Sequence, residues 1–237
     1  LEEYKKKLVT EVFVNTADED YVTARFLYLN HLYRQFFWSA AQSLEKYLKA
    51  ILLIQGCSVK KYKHDLVRLH TDVKRYTGGA IPDKLSAPEQ VKLFSDASWG
   101  NLWGNSSTER FLYHICENGD ASNRYDYFGI EQDFSDLYKL DQVVLALRNV
   151  LANRIGIAQL TVPTGAGDSV HAFTYENNFS LAPTEFKHQE LRLESLTTVS
   201  SLKLLYKNPI PNSAALRCWV KNNISIKDAE IRRLRDC

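Results

Sequence analysis

The chain has 237 residues, 45% hydrophobic, 12% aromatic and 24% charged, a globular composition long enough to bury a core without disulfide staples. Thirty basic against 28 acidic side chains leave a formal charge of +2, so no nucleic-acid footprint shows at the level of the whole chain. No apolar run approaches the roughly 18–20 residues that span a bilayer, and the polar start Leu1–Lys7 has no apolar core behind it, so neither a membrane span nor a secretory leader is expected.

Four cysteines (Cys57, Cys116, Cys218, Cys237) lie far apart with no CxxC pair, which argues against structural zinc and fits a reducing cytoplasm. Methionine is absent, although a chain of this length ordinarily holds several. Thr16-Ala17-Asp18-Glu19 fits a capping box, and Val22, Phe26, Leu29 and Tyr33 then recur on one helical face. The next segment, about 35–55, carries a broad apolar stripe of Phe37, Ala40, Ala41, Leu44, Tyr47, Leu48 and Ile51. Glu45, Lys46 and Lys49 are expected on its solvated side, with Gly56 as the stop.

Asp65 caps a third helix through Leu66, Leu69 and Val73, closed by Gly78 and Gly79. Residues 80–105 are broken by Pro82, Pro88, Gly100 and Gly104, and Ser106-Ser107-Thr108-Glu109 opens a short helix that ends near Gly119. A last long helix is written in Leu137, Leu140, Val144, Leu147 and Leu151. After Asn153 the texture turns to Gly, Pro, Asn, Ser and Thr. Only a β-prone piece (Val170–Tyr175), a helical stretch (Glu185–Tyr206) and a short basic helix (Lys227–Arg235) stand out. The expectation is an all-α antiparallel bundle over residues 1–152 and a less regular C-terminal extension over 153–237.

The run Phe36-Phe37-Trp38-Ser39-Ala40-Ala41-Gln42-Ser43-Leu44-Glu45-Lys46-Tyr47-Leu48-Lys49-Ala50, closed by Gly56, resembles the second helix of the HEPN family, with its A-x-Q-x-x-E-K-x-x-K-A pattern. Lys63-His64-Asp65-Leu66 is similar to the family's H-D-L opening of the third helix, and Arg124-Tyr125 to its R-Y element; together the resemblance spans roughly residues 15–152. It implies an antiparallel helical bundle, a homodimer, a prokaryotic cytoplasmic setting, and binding of nucleotide or RNA. It also implies either a non-catalytic partnership with a nucleotidyltransferase or a metal-independent endoribonuclease of a toxin–antitoxin or defence module. No cofactor or metal is called for.

The ribonuclease members of that family carry an Arg and a His with four to six residues between them. The His can move the 2′-OH proton and the Arg can hold the phosphoryl charge. At the corresponding place this chain reads Arg148-Asn149-Val150-Leu151-Ala152-Asn153, so an asparagine stands where the base would be, and asparagine cannot take that proton near neutral pH. A second pair, Arg25 and His31, has the spacing but sits in the first helix, where six residues at 100° each put the two side chains about 240° apart. On this reading it is a chance match on a surface helix. Arg110 and His114 share a face as an ordinary polar edge. Lys46, Lys49 and Arg124, with His64, are the candidate phosphate-binding groups, and His64-Asp65 also reads as a helix-opening turn. Thr164-Gly165-Ala166-Gly167-Asp168-Ser169 is similar to the anion hole of ribokinase-type sugar kinases, but it lacks the strand–helix setting and is read as a loop.

Overall fold

The computed structural model describes residues 2–86, 106–125, 128–133 and 135–157, and beyond them residue 178 and the segments 196–197, 201–207, 213–223, 229 and 231–232. The chain begins as one continuous helical rod. It runs through α1 (Glu2–Val9), a wide π-helical stretch (Thr10–Val14) and α2 (Asn15–Leu29) without leaving helical geometry. Thr16, expected as an N-cap, therefore lies inside a helix. Its hydroxyl donates to the Val12 carbonyl at 2.7 Å, the back-bonding that a helix-interior threonine adopts. The earlier start has a physical cause: Val9 and Val14 are buried and anchor the turn before Thr16.

The rod ends in a Schellman motif. Leu32 N–H donates to the Leu27 carbonyl at 2.8 Å and His31 N–H to the Tyr28 carbonyl at 3.0 Å, with His31 at φ +59° in the left-handed position usually given to glycine. Three residues then suffice to reverse the chain into α3 (Tyr33–Ile54), antiparallel to α2. Helix α3 is the centre of the bundle. Its buried residues, from Phe36 and Phe37 through Leu44 and Leu48 to Leu52, cover about two thirds of its circumference and leave the strip of Trp38, Gln42, Lys46, Lys49 and Leu53 less buried. This corrects the expectation of a solvated Glu45 face: Glu45 is only 7% exposed. Small buried residues on both helices, Ala17 and Ala24 on α2 and Ala40 and Ala41 on α3, suit a close approach, and Ser43 Oγ donates to the Ala17 carbonyl at 2.9 Å.

Helix α4 (Leu66–Thr77) starts as expected, with the Asp65 carboxylate accepting from Arg68 N–H at 2.9 Å, and ends on Gly78 at φ +56°. Helix α5 (Thr108–Asn118) is capped by Ser107, whose hydroxyl accepts from Arg110 N–H at 3.1 Å. A short 3-10 turn (Ala121–Tyr125) and the two-residue β1 (Glu131–Gln132) lead into α6 (Asp136–Ile155), which ends at Gly156 with φ +69°. Phe111, Leu112, Ile115, Leu140, Val144, Leu147 and Leu151 complete one core with α2, α3 and α4.

From the remainder, β2 (Leu196–Thr197) pairs antiparallel with β1, and α7 (Ser201–Lys207) and α8 (Ser213–Asn223) pack Leu205, Tyr206 and Val220 on Phe128. The helix expected over 185–206 is thus described only in α7, after a strand residue pair. Val170–Tyr175, Thr164–Ser169 and most of 227–235 lie outside the described residues.

Candidate functional site

Helices α2, α3 and α6 carry Arg25, Lys46, Lys49 and Arg148 among the sequence's candidate cations, and each of these four meets an acid. Arg25 belongs to the interior. Its side chain is fully buried and ion-paired with Asp141 of α6, which corrects the reading of a surface helix. Tyr21 OH donates to Asp141 Oδ1 at 2.7 Å, and Asn178 Nδ2 donates to Tyr21 OH at 2.9 Å, so a residue of the C-terminal region closes the network. Burial pushes the Asp141 carboxyl up, and Arg25 and the Tyr21 hydroxyl push it back toward the charged form. His31, by contrast, stands exposed at the end of the rod with Nδ1 2.7 Å from Tyr33 OH. One member of the pair points inward and the other outward.

Arg148 is buried beside α2, with Nε 3.3 Å from Asp18 Oδ1. The same oxygen accepts from Tyr47 OH of α3. Burial raises Asp18 above its ordinary value, against the pull of Arg148 and the Tyr47 hydroxyl, and burial raises the Tyr47 hydroxyl well above its ordinary value. Asn153, five residues on, is exposed and about 140° round the helix from Arg148. The polar triangle Asp18–Tyr47–Arg148 was not legible in any local spacing.

On α3, Lys46 Nζ is 2.6 Å from Asp20 Oδ2, and Lys49 Nζ is 2.5 Å from Glu45 Oε1. The other oxygen of Glu45 lies 2.8 Å from His64 Nδ1. Glu45 thus joins Lys49 to His64, whose own side chain is 77% exposed. The side chain of Arg124 lies outside the described residues; its backbone is in the 3-10 turn. The Arg110–His114 edge also divides. Arg110 is exposed, while His114 Nε2 sits 3.2 Å from buried Asp136, which outweighs burial and raises the imidazole.

At the other end of α3, Arg34, Gln35 and Trp38 face Gly119 and Asp120 across an open cleft of about 230 Å³. Gly119 lies on the Phe37 carbonyl; a Cβ there would clash with that oxygen and sit 2.9 Å from the Ile115 carbonyl oxygen. No group of three or more His, Cys, Asp or Glu side chains able to hold a metal is found among the described residues, and no described helix is long and apolar enough to cross a membrane.

No curated protein and no solved structure shows a significant match to the chain. A family model does: residues 10–97, from the π-helical stretch through α4 and beyond, match the HEPN domain. The match takes in the antiparallel α2–α3 pair and the Asp65-capped α4, the elements that hold the core together. Over that stretch, and not over the whole chain, the sequence is similar to the HEPN domain.

Proposed function

We propose that this is a nucleotide- or RNA-binding HEPN protein that lacks an intact Arg/His ribonuclease motif. HEPN domains are linked to RNA-binding and nuclease roles, which supplies the ligand class. One observation carries the non-catalytic half of the reading. At the position of the family's His stands exposed Asn153, while Arg148, its would-be partner, is held inside by Asp18. The other pair with suitable spacing is divided between core and surface. His64 offers a ring edge to solvent while Glu45 fixes its Nδ1, and Lys49 shares that carboxylate.

The test is binding of labelled single-stranded RNA and of mononucleotides by the full chain across a salt series, with the same RNA incubated with protein in the presence of EDTA. Salt-sensitive binding with intact RNA is expected, because phosphate contacts release counterions. Rapid EDTA-resistant cleavage would overturn the non-catalytic half, and no binding at millimolar ligand would overturn the ligand class. A homodimer and a docked nucleotidyltransferase belong to the same proposal and are checked by solution mass with and without that partner.

A further inference from the structure

The residues between α3 and α4 concentrate charge in a way the whole chain does not. Val59–Arg68 holds four basic side chains (Lys60, Lys61, Lys63 and Arg68) and one acid, Asp65, a net of +3 in ten residues against +2 for the full sequence. The acid caps α4, with one carboxylate oxygen accepting from Arg68 N–H. All three lysines are exposed, and Lys60 and Lys63 have no ion pair or hydrogen bond among the described residues. Lys61 Nζ lies 3.7 Å from Asp72 of α4, whereas Lys60 and Lys63, unlike Lys46 and Lys49, meet no acid among the described residues.

The segment is also held in shape. Tyr62 is buried beneath it, and its hydroxyl donates to Asp72 Oδ2 at 2.5 Å. Lys61 Nζ lies 4.8 Å, and the Arg68 guanidinium 5.6 Å, from the centre of the Tyr62 ring. Asp65 N–H donates to the Tyr62 carbonyl at 3.1 Å, and the Cys116 thiol to the His64 carbonyl at 3.6 Å. Next to these charges His64, anchored through Nδ1 on Glu45, leaves the rest of its ring to solvent. Lys63 itself sits at φ +50°, a conformation that glycine adopts freely and a side chain resists. A lysine in a position that suits glycine points to a use for its ammonium group.

We propose that the α3–α4 connection, Lys60 to His64 together with Arg68, is a preformed platform for the phosphodiester backbone of RNA. The inference rests on the nucleotide- or RNA-binding reading above and locates the surface that reading requires. Exposed cations on a fixed turn bind backbone phosphates without first ordering a loop. No large apolar side chain is exposed from Val59 to Arg68, so the platform has nothing to insert into a bilayer.

The test uses the full chain and a fluorescein-labelled single-stranded RNA, with anisotropy measured between about 50 and 200 mM salt. Lys60→Gln/Lys63→Gln should weaken binding by about tenfold and flatten the log–log salt slope by about 1.4, the value for two lost contacts on a single strand. The triple variant Lys5→Gln/Lys6→Gln/Lys7→Gln, which removes more charge from the N-terminal rod, should bind as the wild type does. Lys63→Gly should bind more weakly while its melting temperature holds or rises, because it relieves the left-handed strain; a merely structural Lys63 would not separate the two readouts. Unchanged affinity in the double variant, or equal losses from the rod variant, would overturn the platform and leave RNA binding standing. No RNA binding by the wild type, or binding only to phosphatidylserine vesicles, would overturn both.

Discussion

Replacing Asp141 by Asn tests whether Arg25 is part of the core or part of a site. The two side chains are 1% and 0% exposed, so water cannot replace the lost partner. Asparagine keeps the shape of the site and can still accept from Tyr21 OH at Oδ1, but its Nδ2 then faces the Arg25 guanidinium where a carboxylate oxygen accepted, so the change removes the charge and that hydrogen bond together. A guanidinium left buried without its carboxylate should cost about 3–5 kcal/mol. Removing both charges, as Arg25→Met/Asp141→Leu, should cost less than Asp141→Asn alone. What remains is chiefly the orphaned Tyr21 hydroxyl, about 1–3 kcal/mol, eased because Asn178 still donates to it. Urea unfolding followed by far-UV circular dichroism measures both, with the m-value showing that the transition stays two-state. A loss below about 1 kcal/mol for Asp141→Asn, or a double variant costing as much as the sum of the singles, would refute the buried pair. The same result governs any activity assay. If the pair holds the fold, Arg25→Ala lowers RNA binding only in proportion to the protein it unfolds.

Gly119→Ala should destabilise by about 1–3 kcal/mol in the same assay, since its methyl runs into the backbone of Phe37 and no side chain can swing aside. Leu48→Ala, at the fully packed centre of α3, should cost about 2–5 kcal/mol. His114, raised by Asp136 against its burial, stabilises the fold in its charged form; that contribution is complete below the unfolded-state value of about 6.5 and fades as pH climbs through the higher folded-state value. His70, lowered by burial and then by Lys74, acts in the opposite sense, and its penalty disappears as pH rises through about 6.5. Thermal melts of His114→Gln and His70→Gln between about pH 5 and 8 should therefore tilt in opposite directions, and parallel curves would refute both assignments. Limited proteolysis should cut first between Asn153 and Pro183 and leave a folded N-terminal fragment; loss of the whole chain at once would refute two separable units.

The helices that were legible in the sequence announce themselves within a few residues. Asp65, Ser107 and Gly78 sit at their caps as local chemistry demands, and each adjoins an apolar repeat that reads without knowledge of the fold. What stayed hidden depends on partners far along the chain. Arg25 finds Asp141 across 116 positions, and Arg148 finds Asp18 across 130. A polar residue on a helix reads as solvated unless the element that covers it is known, and for that reason Glu45 looked like surface. Thr16 misled in the other direction: its capping box is a correct local signal, overridden because Val9 and Val14 carry burial further upstream. The αL turn at His31 gave no sign, since its signature is a glycine and the chain supplies a histidine.

These differences sort the basic side chains into two populations, and the sorting bears on function. Arg25, Arg148, Lys46 and Lys49 face acids from neighbouring elements and lend their charge to the bundle. A phosphate reaching any of them would have to displace a carboxylate already in contact, which cancels most of the electrostatic gain. Lys60 and Lys63 have no such competitor and stand on a turn that Tyr62 fixes from below. His64 is the hinge between the two sets: Glu45 ties it to the interior, and its exposed ring meets whatever the lysines hold. The family pattern pointed to the α3 lysines because they lie in its most recognisable helix. The physics favours the short connection just after it, where the charge is concentrated and fixed in place, and where Lys60 and Lys63 meet no acid among the described residues.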